Sequence, residues 1–458
     1  MTKGWVWRMC GFKQIGAVVG LLGLAGCASI EVGTGFDEVS GLVVERGGAT
    51  LHAVDNPDKP LGVDLNAHAN PKGAISLDRA LHIALTNSPA LQAEYARLAI
   101  SRADVFQASL LKNPTFDTSV VAGITGDPTR FTLGAVYPVL DLVYRKPRIK
   151  AARADFRATQ IEVAEGIIDH ANKVTSAYLN LAQAKARLKA RQEVVNVARS
   201  QLQAIERLVA AGTIDGSVIA ELQATLTEAE IERGSERGER DAARIQLAGL
   251  IGSPLKTKLD TTLVLENIGK YSATAQALRA QAHRQRLDLI RAEQEVTVRK
   301  FALKKAGRLF DEDSKELGLE LENEEGERFL GPSISVEVPI FDRGKYRKVK
   351  ANAELIEAER RLKALKHSID AEVLEAHQRV STRKTTALAH RNRLIPSTRT
   401  RAALARERFN TGTIEASDFL EAQLAISEAK LEAIDAAADY WEARVDLAQA
   451  IGGWPSKI

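Results

Sequence analysis

Residues 408–423 read Arg408-Phe409-Asn410-Thr411-Gly412-Thr413-Ile414-Glu415-Ala416-Ser417-Asp418-Phe419-Leu420-Glu421-Ala422-Gln423, and the chain carries a second version of this run 200 residues upstream. Gly212-Thr213-Ile214 matches Gly412-Thr413-Ile414. Ser217, Glu221, Gln223, Glu228, Ala229 and Glu232 match Ser417, Glu421, Gln423, Glu428, Ala429 and Glu432. Ala243, Arg244, Leu247, Ala248, Ile251 and Gly252 match Ala443, Arg444, Leu447, Ala448, Ile451 and Gly452. Further upstream, Pro138-Val139-Leu140-Asp141 matches Pro339-Ile340-Phe341-Asp342 at an offset of 201. A period this long is far outside the roughly 20–45 residues of solenoid repeats. The chain is a tandem duplication of one large unit.

Working outward from the repeated run gives the content of a unit. From about Leu142 to Val209 the chain is rich in Ala, Arg, Gln, Glu and Leu, all good helix formers. At about 1.5 Å per residue this predicts a rod of about 100 Å. Ala211-Gly212-Thr213 interrupts it, and a second helix is expected from about Ser217 to Leu250. The second unit repeats the plan with a helix from about Gly344 to Phe409, a break at Asn410-Thr411-Gly412, and a helix from Ser417 to Ala450. Pro396 lacks a backbone donor and is expected to kink the long helix. Leu420, Leu424, Ser427, Leu431, Ile434, Ala438, Trp441, Val445 and Ala448 are spaced alternately by four and three, a coiled-coil seam. The first-unit counterpart is less apolar and carries Gly234 and Gly238.

Ahead of each rod the period changes to two. Phe131, Leu133, Ala135, Tyr137 and Val139 alternate with Thr132, Gly134 and Val136, after a strand pattern over Pro114–Gly123 and a Gly126-Asp127-Pro128 turn. Leu317, Leu319 and Leu321 alternate with Gly318, Glu320 and Glu322; Ile334, Val336, Val338 and Ile340 alternate with Ser333, Ser335 and Glu337. Each unit therefore reads helix, strand, turn, strand, long helix, tight turn, helix, the opening helices being about Ser88–Leu111 and Arg286–Ala306. Apolar-out, polar-in strands of this length are the pattern of a transmembrane β-barrel. Four strands cannot close a barrel, since about eight are needed, and an open edge in lipid leaves backbone groups unsatisfied. Either several copies close it together or these are soluble hairpins.

The N-terminus is a targeting segment. Lys3, Arg8 and Lys13 precede the apolar stretch Ile15–Leu24, the charged and apolar regions of a secretory signal. Leu24-Ala25-Gly26-Cys27 resembles a bacterial lipobox, with Cys27 as the lipid-anchor residue; the bland reading is a chance Cys after an ordinary signal. More than one acyl chain makes such anchoring stable. Ala28 rather than Asp follows, which by the enteric sorting rule directs the protein to the outer membrane.

Composition excludes several function classes. Lys and Arg number 63 against 59 Asp and Glu, and three of those cations lie in the signal. A near-neutral body argues against nucleic-acid binding. Cys27 is the only Cys beyond the signal, so neither a disulfide framework nor a Cys-type zinc site is expected. There is no phosphate loop, His-Glu-x-x-His or Gly-x-Ser-x-Gly. The eight His residues are scattered. No metal site, cofactor or catalytic residue is expected; His52 and His68 are a remote pair, and Asp311 and Asp313 read as solvated loop.

The two joints Tyr137-Pro138-Val139-Leu140-Asp141 and Val338-Pro339-Ile340-Phe341-Asp342-Arg343-Gly344, with Leu394-Ile395-Pro396 and the run 408–423, resemble the TolC-like outer-membrane efflux channels over roughly residues 75–453. The closest look is to lipidated components of heavy-metal exporters of the copper, silver and cobalt-zinc-cadmium kind. The first joint departs from the pattern, because Asp141-Leu142-Val143 lacks the Gly that follows Asp342-Arg343. The resemblance implies a mixed α and β fold. Tandem helix-strand-strand-long helix-helix units would form a trimeric, twelve-stranded outer-membrane β-barrel, continued by a periplasmic α-helical coiled-coil barrel. It implies a homotrimer in outer-membrane lipid, a periplasmic membrane-fusion adaptor, an inner-membrane RND-type pump, and passive export of substrate, heavy-metal cations among the candidates.

The corresponding organisation is a signal peptide over 1–26, a lipidated periplasmic extension over 27–74, a first repeat over 75–255, a linker over 256–282, a second repeat over 283–453 and a tail over 454–458. The competing readings are a coiled-coil adaptor or structural envelope protein and, third, a periplasmic enzyme. Adaptors usually carry one hairpin beside several soluble β-domains, and the sequence offers an enzyme no site.

Two groups of site residues follow. If the Leu and Ile rows face lipid, Glu320, Glu322 and Glu337 ring the lumen with negative charge and favour cations; the bland reading is a solvated rim. The rod reversals are the periplasmic tips, with Gly212, Thr213, Ile214, Gly412, Thr413 and Ile414 as the adaptor-docking surface or, more plainly, a turn. Asp215, Glu415 and Asp418 lie near that mouth. Either their repulsion biases it open or they pair with Arg207 and Arg408 and latch it shut; the latch is favoured because closed tips need one.

Overall fold

The computed structural model describes residues 35–49, 51, 74–121, 130–137, 140–212, 215–255, 259–265, 267–269, 271–306, 315–324, 327–336 and 345–455. The duplication is visible in the element order. After α1 (Phe36–Glu45) and the short β1 (Ala74–Ile75), the first repeat runs α2 (Leu77–Asn87), α3 (Pro89–Ser109), β2 (Thr115–Val121), β3 (Arg130–Tyr137), α4 (Leu140–Ala210) and α5 (Ser217–Leu250). After β4 (Asp260–Thr261), the second runs α6 (Ala275–Gln285), α7 (Leu287–Ala306), β5 (Lys315–Glu324), β6 (Glu327–Val336), α8 (Lys345–Ala389), a π-helical turn (His390–Leu394), α9 (Ile395–Asn410) and α10 (Ala416–Ala450). The 71 residues of α4 make a rod of about 107 Å.

Sequence reading did not anticipate α2 and α6. Ser88 and Arg286, read as the first residues of the opening helices, are extended joints between two helices, with ψ of 119° and 121°. Ser88 precedes Pro89, which disfavours the helical region there. Ser76 and Thr274 cap the new helices alike, their hydroxyls accepting from the Arg79 and Ala277 amides at 3.3 Å. Within the stretch read as a linker, β4 pairs parallel with β1, and α6 begins at Ala275.

Pro396 does not break its helix. The π turn ahead of it lets the Ile395 amide reach His390 O, and the Ser397 and Thr398 hydroxyls donate to Leu394 O at 2.9 and 3.0 Å. The helix thus passes Pro396 through one widened turn, a feature at which helices also bend. The counterpart of Pro396 is Asn196, and α4 runs through it unbroken.

The described residues form two compact units. One, Phe36–Arg97, Gln160–Lys300 and Ala353–Ile458, is helical apart from β1 and β4. Its core follows the predicted seam: Leu431, Ile434, Ala438 and Val445 of α10 pack with Leu179, Ala182 and Ala190 of α4. Each fully buried Leu or Ile stabilises by about 1.5–3 kcal/mol. The other unit, built from Leu98–Thr159 and Phe301–Asn352, holds one antiparallel sheet of order β2-β3-β5-β6. Strand β6 starts at Glu327, ahead of the expected start at Ser333, and residues 337–340 lie outside the described residues.

Candidate functional site

The sheet has two chemically distinct faces, because directly paired residues share a side. The register puts Phe116, Thr118 and Val120 of β2 in rows with Phe131, Leu133 and Ala135 of β3. It carries those rows on to Leu319 and Leu321 of β5, then Leu330 and Pro332 of β6. Positions 317 and 334 continue the pattern. The opposite rows hold Asp117, Ser119, Thr132, Gly134, Glu320, Glu322, Gly331 and Ser333, with Val121, Val136 and Phe329 as apolar exceptions. Phe116, Val120, Leu319 and Leu330 are all more than half exposed in the single chain. An apolar face of this extent needs lipid or another cover. Glu320 lies between Gly134 and Gly331, and Glu322 between Thr132 and Phe329, so both belong to the polar face; Glu337 lies outside the described residues. Among the described residues β2 and β6 each have one unpaired edge.

The joint after β3 owes its geometry to a pair that sequence reading half identified. Asp141, quoted in the joint, is buried and accepts from the Lys112 amide at 3.2 Å and from Arg148. Burial pushes its carboxyl up, but the hydrogen bonds from Arg148 and the Lys112 amide outweigh this and hold it below the usual carboxylate range. Arg148 also donates to Ala108 O and Leu110 O, and Arg145 to Ser109 O, so these cations satisfy carbonyls at the C-terminal end of α3. The seven-residue spacing of Asp141 and Arg148, two helical turns, was the available signal.

The rod reversals lie where predicted. Gly212 and Gly412 have φ of +72° and +68°, the left-handed conformation that closes a helix. The Thr413 amide reaches back to Arg408 O at 2.8 Å. A side chain at either glycine would meet nothing, so backbone conformation alone demands glycine there. Thr413 is exposed and Ile414 half-buried, while Thr213 and Ile214 lie outside the described residues. Sequence reading missed the aromatic pair beneath this tip. Phe409 and Phe419 stack at 5.1 Å over a cluster of Ile205, Leu222 and Leu420.

Among the described residues of a single chain, Arg207 and Arg408 do not form the expected latch. Asp215 instead accepts from the Ser217 amide at 2.7 Å, which lowers its pKa. Glu415 caps α10 without a side-chain bond. Among the described residues neither Glu415 nor Asp418 pairs with Arg207 or Arg408. The strong ion network lies higher on the helices and was not foreseen. Arg187 of α4 grips Glu236 of α5 at 2.7 Å and Asp435 of α10 at 2.5 Å, joining three helices. Those hydrogen bonds outweigh its burial and hold the guanidinium firmly protonated.

Among the described residues no group of three or more His, Cys, Asp or Glu side chains is placed to hold a metal. Cys27, His52, His68, Asp311 and Asp313 lie outside those residues. No described helix is long and apolar enough to cross a membrane, which says nothing of the strands.

These features have counterparts in known proteins. The family model for outer membrane efflux proteins matches residues 80–253 and 322–453, more than half of the chain. The cobalt-zinc-cadmium resistance protein CzcC of Cupriavidus metallidurans is 22% identical over 383 residues, spanning 83% of this chain and 90% of its own. A crystal structure of CusC superimposes with a TM-score of 0.70 at 16% identity, covering 88% of this chain and 99% of that one. The open-state outer-membrane channel MtrE of Neisseria gonorrhoeae gives 0.67 at 18% identity, covering 82% and 89%. With its duplicated helical hairpins and its two-faced sheet, the chain belongs to the outer membrane efflux protein family and is a channel component of the outer membrane.

Proposed function

We propose that three copies of this chain close a twelve-stranded barrel and form the exit duct of a tripartite exporter. Substrate is handed over by an inner-membrane RND-type pump and a periplasmic membrane-fusion adaptor. The observation that carries this reading is the sheet, apolar on one face, polar on the other and, among the described residues, unpaired at both edges. In lipid each unsatisfied backbone group costs several kcal/mol, and pairing β2 of one copy with β6 of the next removes both edges at once.

Heavy-metal cations are the proposed cargo class. The likeness to a cobalt-zinc-cadmium resistance protein supports it, and so does the acidic pair Glu320 and Glu322 on the polar face. The tips around Gly212–Ile214 and Gly412–Ile414 are the proposed adaptor-docking surface. Arg207, Asp215, Arg408, Glu415 and Asp418 are the proposed gate, with any latch made between copies. Cys27 is the proposed lipid anchor. Detergent extraction of outer membranes followed by mass measurement tests the assembly. A trimer in the membrane fraction is expected, and a soluble monomer would overturn the reading.

A further inference from the structure

The π turn forms one wall of a cavity of about 240 Å³ in the helical unit. Among the described residues its rim carries Lys189, Arg391, Arg399 and Lys430 against a single carboxylate, Glu193. Its floor is Ile268, Ile395, Ile434 and five alanines. The alanines explain the space, since small side chains leave a gap where α4, α8, α9 and α10 meet. The π turn explains the charge. In an α-helix a residue four positions on over-rotates by about 40°, and through the wider turn it under-rotates. The two steps from Arg391 to Ile395 and on to Arg399 therefore cancel, bringing both guanidiniums to the same side. The first repeat has no π turn and builds no such wall.

Among the described residues the neighbouring acids have partners of their own. Glu193 binds Lys430 at 2.7 Å. On α10, Glu421 pairs with Arg401, Asp435 with Arg187 and Asp439 with Arg383, while Glu432 faces His390. Lys189 and Arg399 have no ion pair among the described residues. An apolar floor under an excess of cationic donors is complementary to a molecule with an anionic head and a short hydrocarbon body. The volume lies below the roughly 300–1,000 Å³ of drug-sized sites, which limits the ligand to one short chain.

We propose that this cavity binds an anionic alkyl amphiphile, its carboxylate or phosphate held by Arg399 and Lys189 and its chain lying over Ile395 and Ile434. The ligand is either a free fatty acid or one end of an anionic phospholipid, and both present the same chemistry to the site.

Native mass spectrometry of the full-length assembly, released from a maltoside detergent, tests this with decanoate, decyl phosphate and decanol as probes. Decanoate and decyl phosphate should each give a saturable adduct, with decanol at least tenfold weaker. Lys189→Ala with Arg399→Ala should weaken the anions at least tenfold, leave decanol unchanged and preserve the far-ultraviolet dichroism. If that double variant fails to assemble, Arg399→Gln alone carries the comparison. The mass of any species that co-purifies from membranes separates a fatty acid from a phospholipid, and either supports the site. Decanol binding as tightly as decanoate, no anion adduct, or unchanged binding in the variants would overturn it.

Discussion

Gly252, Gly412 and Gly452 end their helices with nearly the same backbone conformation, φ of +67°, +68° and +69°, but in different surroundings. Replacing each by Ala separates two costs that usually come together. The first is conformational, about 1–2 kcal/mol for a Cβ in the left-handed region, and it is common to all three. The second depends on what the new methyl meets. At Gly412 it meets nothing within 4 Å, so the cost stays at about 1–2 kcal/mol. At Gly452 it would lie 3.0 Å from Arg286 Cα and N, in the joint between α6 and α7. A shift of a few tenths of an ångström there adds about 1 kcal/mol. At Gly252 it would lie 2.3 Å from Asn87 O and 2.7 Å from Asn87 C, in the matching joint of the first repeat. Backbone must move there, adding about 2–3 kcal/mol. The expected loss is therefore largest at position 252, intermediate at 452 and smallest at 412. Apparent thermal midpoints of the purified protein, read by dichroism at one scan rate, give the order without assuming two-state unfolding. Equal losses at 252 and 412 would refute the argument, because the close approach to Asn87 would then contribute nothing.

Replacing Glu320, Glu322 and Glu337 together by Gln should reduce the cation preference of reconstituted channels; unchanged selectivity would remove these residues from the lumen assignment. Ile214→Asp with Ile414→Asp should abolish resistance conferred by export while assembly and membrane location persist, and full resistance would show that the tips are not the docking surface. Cys27→Ala should abolish incorporation of a radiolabelled fatty acid, whereas equal labelling of the variant would refute lipidation there. Hydrogen bonds from Arg279 and His283 hold the Asp370 carboxyl well below its ordinary value. Its contribution to stability is therefore complete above the unfolded carboxylate pKa of about 4 and is lost as pH falls through the lower folded value. Asp370→Asn should flatten the acid limb of a stability–pH curve, and an unaltered limb would show that this cluster does not control it.

Local rules were enough to read the duplication, the long helices, the strand alternation and the left-handed glycines from the chain. Helical periodicity marked Leu431, Ile434 and Val445 as core, and two-residue periodicity put Glu320 and Glu322 opposite Leu319 and Leu321; neither needs knowledge of distant residues. What remained hidden was non-local. The joints at Ser88 and Arg286 are matched to Gly252 and Gly452 only because helix ends from far along the chain press against them. Arg187 was one cation among many until folding brought Glu236 and Asp435 to it. Phe409 and Phe419 are ten residues apart with a reversal between them, so their stack depends on how the turn closes. A proline alone predicts a lost hydrogen bond, and the widened turn that lets the Ile395 amide reach His390 O appears only in the folded chain. The sequence by itself determined which segments are helix or strand and which face of each is apolar, because those are properties of a few adjacent residues. Only the tertiary structure decided the strand register, the charge clasp and the basic cavity, because each requires groups that meet only after the chain has folded.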